Sequence, residues 1–287
     1  MVATKDIKTK IVSIKKTQKI TKAMQMVAAS KMRKAQQRME ISMPYATKIL
    51  SVMGHVANSH SEYKHRYLQP RAEIGRVGYI VVSTDRGLCG GLNINLFRVL
   101  LKAIKEWHNK EIGVSSCLFG GKAINYFKNL EMDVLAKAQG FGDRPKVSDL
   151  IGGVRTMLEA YDQRKIDRLF IAHNVFVNKV VQKPRILQIL PIELSDGKTK
   201  GRYWDYFYEP DPKQLLDTLI VRYLETQVYQ AVADNLACEQ AARMLAMKNA
   251  TDSAAELITD LNLVYNKARQ AAITQEIAEI IGGAESI

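Results

Sequence analysis

Between Pro212 and Gly282 the chain runs for 69 residues, Lys213 to Ile281, without a glycine or a proline. Those two residues do most to stop a helix, so a stretch lacking both has few ways to turn. As one helix it extends ~100 Å at about 1.5 Å per residue. Its start has the expected chemistry, with Asp211 as N-cap and Pro212 at the first helical position, and Gly282-Gly283 reads as the stop. Leu216, Leu219, Tyr223, Leu236, Leu245, Leu257, Leu261, Val264, Ala268, Ile273, Ile277 and Ile280 form a coiled-coil stripe, loosened around Ala241-Ala242.

The other end is built alike. Met1 to Met43 contains neither glycine nor proline, and Ile7, Ile11, Ile14, Ile20, Met24, Ala28, Met32, Ala35 and Met39 recur at helical intervals over ~65 Å. Pro44 kinks or ends this helix, and Ile49, Val52, Met53 and Val56 suggest that it resumes as far as Asn58-Ser59-His60-Ser61. Residues 1 to 40 hold eleven basic side chains against two acids, whereas residues 211 to 287 hold six basic against eleven acidic. Opposite charge steers two such helices together, and the excess on the first remains for an acidic partner outside the chain. The expectation is an antiparallel coiled coil of the two ends, with Met1 and Ile287 at the same end. The longer C-terminal helix projects past its partner, where its apolar stripe needs outside surfaces.

Between the helices the texture changes. Gly78 to Thr84 reads as a buried strand, followed by the turn Asp85-Arg86-Gly87-Leu88-Cys89-Gly90-Gly91 and a helix from about Leu92 to Trp107. Val114 to Phe119 and Val134 to Ala138 are further strands, and Lys122 to Leu130 and Val147 to Tyr161 further helices. Leu169 to Ala172, Val175-Phe176-Val177 and Ile186 to Leu190 complete the set with a hairpin before Pro191. Such alternation gives a mostly parallel, Rossmann-like α/β sheet. The chain thus reads as a shaft helix over 1–58, a central α/β domain over 75–200 and a second shaft helix over 211–287.

The glycine turn opens a helix, a position suited to holding phosphate. Its spacing is wrong: Gly87, Gly90 and Gly91 do not make GxGxxG, and neither that turn nor Gly120-Gly121-Lys122-Ala123 satisfies GxxxxGK[ST]. A plain strand-to-helix turn is the better reading. His55, His60 and His65 lie five apart, which rotates them around a helix instead of stacking a metal pair, so they read as exposed loop residues. Cys89, Cys117 and Cys238 form no CxxC pair and fit reduced thiols, with Cys89 a small buried hydrophobe. No catalytic triad, cofactor or metal is indicated. The net charge of +13 raises nucleic acid as a partner, but residues 1 to 40 contain no aromatic residue for stacking on bases. No apolar run reaches the ~18 residues of a membrane span, and Lys5, Lys8 and Lys10 stand where a signal peptide is apolar.

Four motifs then carry a resemblance over essentially the whole chain. Gln18-Lys19-Ile20-Thr21-Lys22-Ala23-Met24-Gln25-Met26-Val27-Ala28-Ala29-Ser30-Lys31 and Ile273-Thr274-Gln275-Glu276-Ile277-Ala278-Glu279-Ile280-Ile281-Gly282-Gly283-Ala284 closely resemble signatures of the gamma subunit of F-type ATP synthase. Ser83 to Asn93 and Tyr208-Glu209-Pro210-Asp211 are similar to that family as well. The resemblance implies a non-catalytic rotor, one copy per complex, whose two terminal helices turn inside a ring of three alpha and three beta subunits, the alpha3beta3 hexamer. It couples proton flow to ATP synthesis or hydrolysis on that ring. By the same resemblance Lys19, Lys22, Met24, Arg243, Arg269, Gln270, Thr274 and Glu276 touch the ring, although Arg243 equally suits a coil-stabilising role. Tyr203-Trp204-Asp205-Tyr206-Phe207-Tyr208-Glu209 resembles the foot that meets the c-ring of the membrane sector and the epsilon subunit through Tyr203, Tyr206, Tyr208 and Glu209; an aromatic strand packed on the sheet would look the same. Plastid relatives carry an inserted cysteine pair that this chain lacks. The start of the chain favours a bacterial protein, peripheral on the cytoplasmic face of the inner membrane.

Overall fold

The computed structural model describes residues 2–59, 65–128, 130, 132–193 and 212–284. In chain order they form α1 (Val2–Ser59), β1 (Arg76–Val82), α2 (Leu92–His108), β2 (Gly113–Phe119), α3 (Gly121–Phe127), β3 (Asp133–Ala138), α4 (Val147–Asp162), β4 (Arg168–Phe176), β5 (Gln182–Leu190) and α5 (Pro212–Ala284). Two compact units result: Met1–Ala29 with Arg243–Ile287, and Ser30–Ala242.

The second unit is organised by a five-stranded sheet in the order β3-β2-β1-β4-β5. β1 pairs in parallel with both β2 and β4, β3 in parallel with β2, and β5 closes the edge antiparallel to β4. β1 is buried from Val77 to Val82, as expected of a strand covered on both faces. Its alternating side chains feed two cores. Val77, Tyr79 and Val81 pack with Leu96, Phe97 and Leu100 of α2 and Phe127 of α3. Ile80 and Val82 pack with Val154 and Met157 of α4, Ile49 and Met53 of α1, and Leu216, Ile220, Leu224 and Val228 of α5.

Two expectations are corrected and one is narrowed. Of the two alternatives at Pro44, ending the helix is excluded, because α1 continues to Ser59, as the apolar pattern beyond Pro44 suggests. A proline removes one ladder hydrogen bond at roughly 3 kcal/mol, which burying Ile49 and Met53 beyond it, at roughly 1.5–3 kcal/mol each, can offset. Gly282 and Gly283 do not stop α5, which runs to Ala284; glycine in a helix costs only about 1 kcal/mol and does not forbid it. His65 is no exposed loop residue. It is buried edge-on to Tyr67, its Nδ1 accepts from the Tyr67 N–H at 3.1 Å, and its Nε2 lies 3.3 Å from Asp217. Burial, opposed by Asp217, holds its pKa below the ordinary histidine value.

Candidate functional site

The first unit consists of one segment from each terminal helix. Within that unit the buried and half-buried positions of α1 include Ile7, Ile11, Ile14, Gln18, Thr21, Gln25 and Ala28, and those of α5 include Met247, Thr251, Ala254, Ile258, Leu261, Tyr265, Ala268 and Ala272. Both sets alternate steps of three and four residues, the 3.5-residue period of a left-handed coiled-coil seam. They touch at Thr21 and Thr251, whose Oγ1 atoms are 2.7 Å apart. Counting back from Thr21 and forward from Thr251 by three, seven, ten and fourteen residues gives Gln18, Ile14, Ile11 and Ile7 against Ala254, Ile258, Leu261 and Tyr265. That mirror relation is the register of an antiparallel pair. The two hydroxyls also reach the Gln18 and Met247 carbonyls at 3.0 and 2.8 Å. With one proton each, one hydroxyl donates to the other, and that other donates to the Gln18 or Met247 carbonyl of its own helix.

The sequence pattern assigned this seam to Ile20, yet Ile20 is 60% exposed and Thr21 takes the inward position. Lys19 and Lys22 are exposed on either side of Thr21, and Met24 is half-buried. Arg269, Gln270, Thr274 and Glu276 are also exposed, whereas Arg243 is only 9% exposed. These residues do not converge on one site. Arg269 to Glu276 lie eighteen to twenty-five residues beyond Thr251, ~27–38 Å along the helix, and Arg243 lies ~12 Å the other way. From Ile273 to Ile281 every α5 residue is exposed, including Ile273, Ile277, Ile280 and Ile281. Tyr203, Tyr206, Tyr208 and Glu209 lie outside the described residues, as does Asp211.

The sequence motifs did not single out a second cationic region, in the Ser30–Ala242 unit. Lys31, Lys34, Arg38 and Arg144 line a shallow cavity of about 160 Å³ with Asp143 and Gln240. Lys31 Nζ pairs with Asp143 at 2.7 Å, and Arg38 donates to the Asp143 carbonyl. One carboxylate thus offsets four cations. The signal available in the sequence was the basic excess of 31–38, which composition counts but does not localise.

In an open α/β sheet of this order a ligand crevice belongs beyond the carboxyl ends of β1 and β4, where the winding reverses. Here its groups are already engaged. Asp85 accepts from the backbone N–H groups of Gly121, Gly140 and Phe141 at 2.9–3.1 Å, so a carboxylate of the chain itself sits at the start of α3. Ser83 Oγ accepts from Ala123 N–H, and Asn93 binds Thr84. Gly120 has φ +97, and a Cβ there would lie 2.5 Å from the Ser83 carbonyl oxygen, so the turn is drawn tight against β1. Cys238 and Ala242 of α5 pack on Cys89, Leu92 and Phe176. The glycine turn is therefore a packed junction. Burial pushes the Cys117 thiol up to about 12 and raises Cys238 as well, so neither is a thiolate at neutral pH. Among the described residues no group of three or more His, Cys, Asp or Glu side chains could hold a metal, and no helix is long and apolar enough to cross a membrane.

A family model described as ATP synthase matches residues 3–287. The ATP synthase gamma chains of two Coxiella burnetii strains are 58% and 57% identical over 284 residues, covering 99% of this chain and 98% of each relative. The chain belongs to the ATP synthase gamma chain family. Its fold is also that of solved stalk structures. A chain from the central stalk/c-ring of Tetrahymena thermophila mitochondrial ATP synthase superposes with a TM-score of 0.59 at 22% identity, covering 80% of this chain and 99% of that one. A chain from the Euglena gracilis mitochondrial enzyme gives 0.58 at 20% identity, covering 91% and 94%. As a gamma chain the protein is a non-catalytic central-stalk subunit, the catalytic sites lying in the beta subunits.

Proposed function

We propose that this gamma chain is the rotor that couples proton passage through a membrane c-ring to ATP synthesis or hydrolysis on an alpha3beta3 ring, one copy per complex, at the cytoplasmic face of a bacterial inner membrane. Residues 1–58 and 211–287 act as the shaft. Residues 75–200, with Tyr203, Tyr206, Tyr208 and Glu209, face the c-ring and the epsilon subunit. The observation that carries this reading is the outward surface of the first unit, where exposed Lys19 and Lys22 and the uncovered isoleucines Ile273, Ile277 and Ile280 have no cover from the chain's own seam. Exposed apolar residues at that spacing fit a partner wall around the helix. Lysines fit acidic lips that must release at every step, since exposed ion pairs contribute only ~0–1 kcal/mol each. Met24, Arg269, Gln270, Thr274 and Glu276 extend this contact along the shaft, with Arg243 reaching it from a mostly buried position. Driving a catalytic site between tight and open populations by ~10⁴ takes about 5.5 kcal/mol of differential contact, which many weak contacts supply together.

The test is reconstitution with alpha and beta subunits, expecting one copy per six, followed by Lys19→Glu with Lys22→Glu. Exposed substitutions of this kind stay within about 0.5 kcal/mol, so the melting temperature of the free chain should move by about 2 °C or less. ATP-driven proton pumping should fall severalfold. A large loss of melting temperature with pumping retained would assign both lysines to the fold instead.

A further inference from the structure

Among the described residues, a group of buried polar side chains between β4 and α5 lies outside both the seam and the outward surfaces. Asn174 of β4 and Asn235 of α5 are 1% and 3% exposed, and Asn174 Nδ2 donates to Asn235 Oδ1 at 2.9 Å. The Asn174 carbonyl accepts from Cys238 Sγ at 3.4 Å. Beside them His173 Nε2 lies 3.8 Å from Asp234 Oδ2, too far for a hydrogen bond, while the other Asp234 oxygen accepts from Gln230. His173 Nδ1 and Asn174 Oδ1 are buried with no partner among the described residues. Asn174 stands two residues past Ala172, the last β4 residue paired with β1, and so lies in the crevice that α5 fills.

Around this group α5 is held by Leu216, Ile220, Leu224, Val228, Ala231 and Val232. Apolar contact is non-directional and tolerates a helix sliding or turning by a fraction of a residue. A buried amide pair does not, because any slip strands both amides without partners. Small residues on the same stretch, Ala231, Ala237, Cys238 and Ala241, bring the helix close enough for the bond to form.

We propose that Asn174 and Asn235 are positioning residues that fix the register of α5 on the sheet, so that torque borne by the helix is passed to the α/β unit without slip. The proposal rests on the rotor reading and adds where the shaft is gripped. Buried polar residues that set register at the expense of stability are well attested in helical assemblies.

The experiment uses the complete complex in vesicles and reads protons pumped per ATP hydrolysed, with assembly and the melting temperature of the chain measured alongside. Asn174→Leu with Asn235→Leu replaces both amides by apolar groups of similar size, so the melting temperature should stay near that of the parent while the ratio falls at least twofold. Leu224→Ala is the control: it removes apolar contact, lowers the melting temperature more, and should leave the ratio at the parental value. A double variant with the parental ratio overturns the proposal, as does a control that lowers the ratio equally. If the paired leucines prevent folding, Asn235→Ala is read in the same assay, and a parental ratio there overturns it too. A parent complex whose pumping does not depend on this chain would instead remove the rotor reading beneath it.

Discussion

One helix, α5, is made of two halves that meet different surroundings. From Leu216 to Ala242 it buries Leu216, Ile220, Leu224, Val228, Ala237, Cys238 and Ala241 against its own chain. From Leu257 onward it leaves Leu257, Leu263, Val264, Ile273, Ile277, Ile280 and Ile281 exposed and keeps only a narrow seam. Apolar content is similar in the two halves. What differs is whether the described residues of this chain supply the cover: the first half stabilises the fold, while the second leaves its apolar side chains exposed. An apolar stripe reports that a surface is wanted, and says nothing about whose surface it is.

The contrast can be broken most directly by truncation. Leu224→Ala, at a fully buried position, should cost about 3 kcal/mol in urea unfolding of the isolated chain. Ile277→Ala, on the exposed half, should cost less than about 0.5 kcal/mol in the same experiment. Equal costs would mean that the second half is covered by its own chain after all.

Titration sharpens the buried side. Burial lifts Asp234 to about 6 despite the Gln230 hydrogen bond and Arg185, and burial with Arg185 pushes His173 down to about 4. An acid with a raised folded pKa loses stability as pH climbs from its unfolded value near 3.8 to about 6. A histidine with a lowered one gains stability as pH climbs from about 4 to 6.5. In the parent the two slopes nearly cancel between pH 4 and 6. Removing one partner should uncover the other: His173→Gln makes the chain less stable with rising pH over that window, and Asp234→Asn makes it more stable, each on the order of 2–3 kcal/mol. Urea midpoints at pH 4, 5 and 6 decide it, and flat profiles in both variants would contradict the burial of this pair.

The smallest effect belongs to the seam. Thr21→Val with Thr251→Val removes both hydroxyls from a position where apolar residues pack equally well, so thermal melts should place the double variant within about 1 kcal/mol of the parent, on the more stable side. A loss above about 2 kcal/mol would show that the hydroxyl contact holds the pair together.

Most of the architecture is legible because glycine and proline punctuate it: the two runs without them, residues 1–43 and 213–281, make up most of α1 and α5, which nonetheless continue through Pro44 and through Gly282-Gly283, and the glycine turn lies between β1 and α2. The failures share a cause. Apolar periodicity puts Ile20 in the seam, but the seam keeps its heptad step through Gln18, Thr21 and Gln25, which a hydrophobic count skips. His173-Asn174 interrupts the apolar run of β4 and splits it in the sequence pattern, yet it is one strand from Arg168 to Phe176. Those polar residues are buried because α5 brings Asp234 and Asn235 to meet them, a pairing 61 residues apart in the sequence. Of the candidate contacts, the exposure of Lys19 and Lys22 followed from local pattern, while the burial of Arg243 depended on long-range packing.

The crevice beyond β1 and β4 can also be described in terms of mass action. In an enzyme with this sheet a diffusing molecule occupies that place, and occupancy rises and falls with its concentration. Here the occupant is Asn235, Cys238 and Ala242 of α5, tethered by peptide bonds, so its effective concentration is set by chain length and cannot be diluted. It acts as a tethered ligand, held at its site whatever the dilution of the protein. A fold built to let go has thereby become one that holds on.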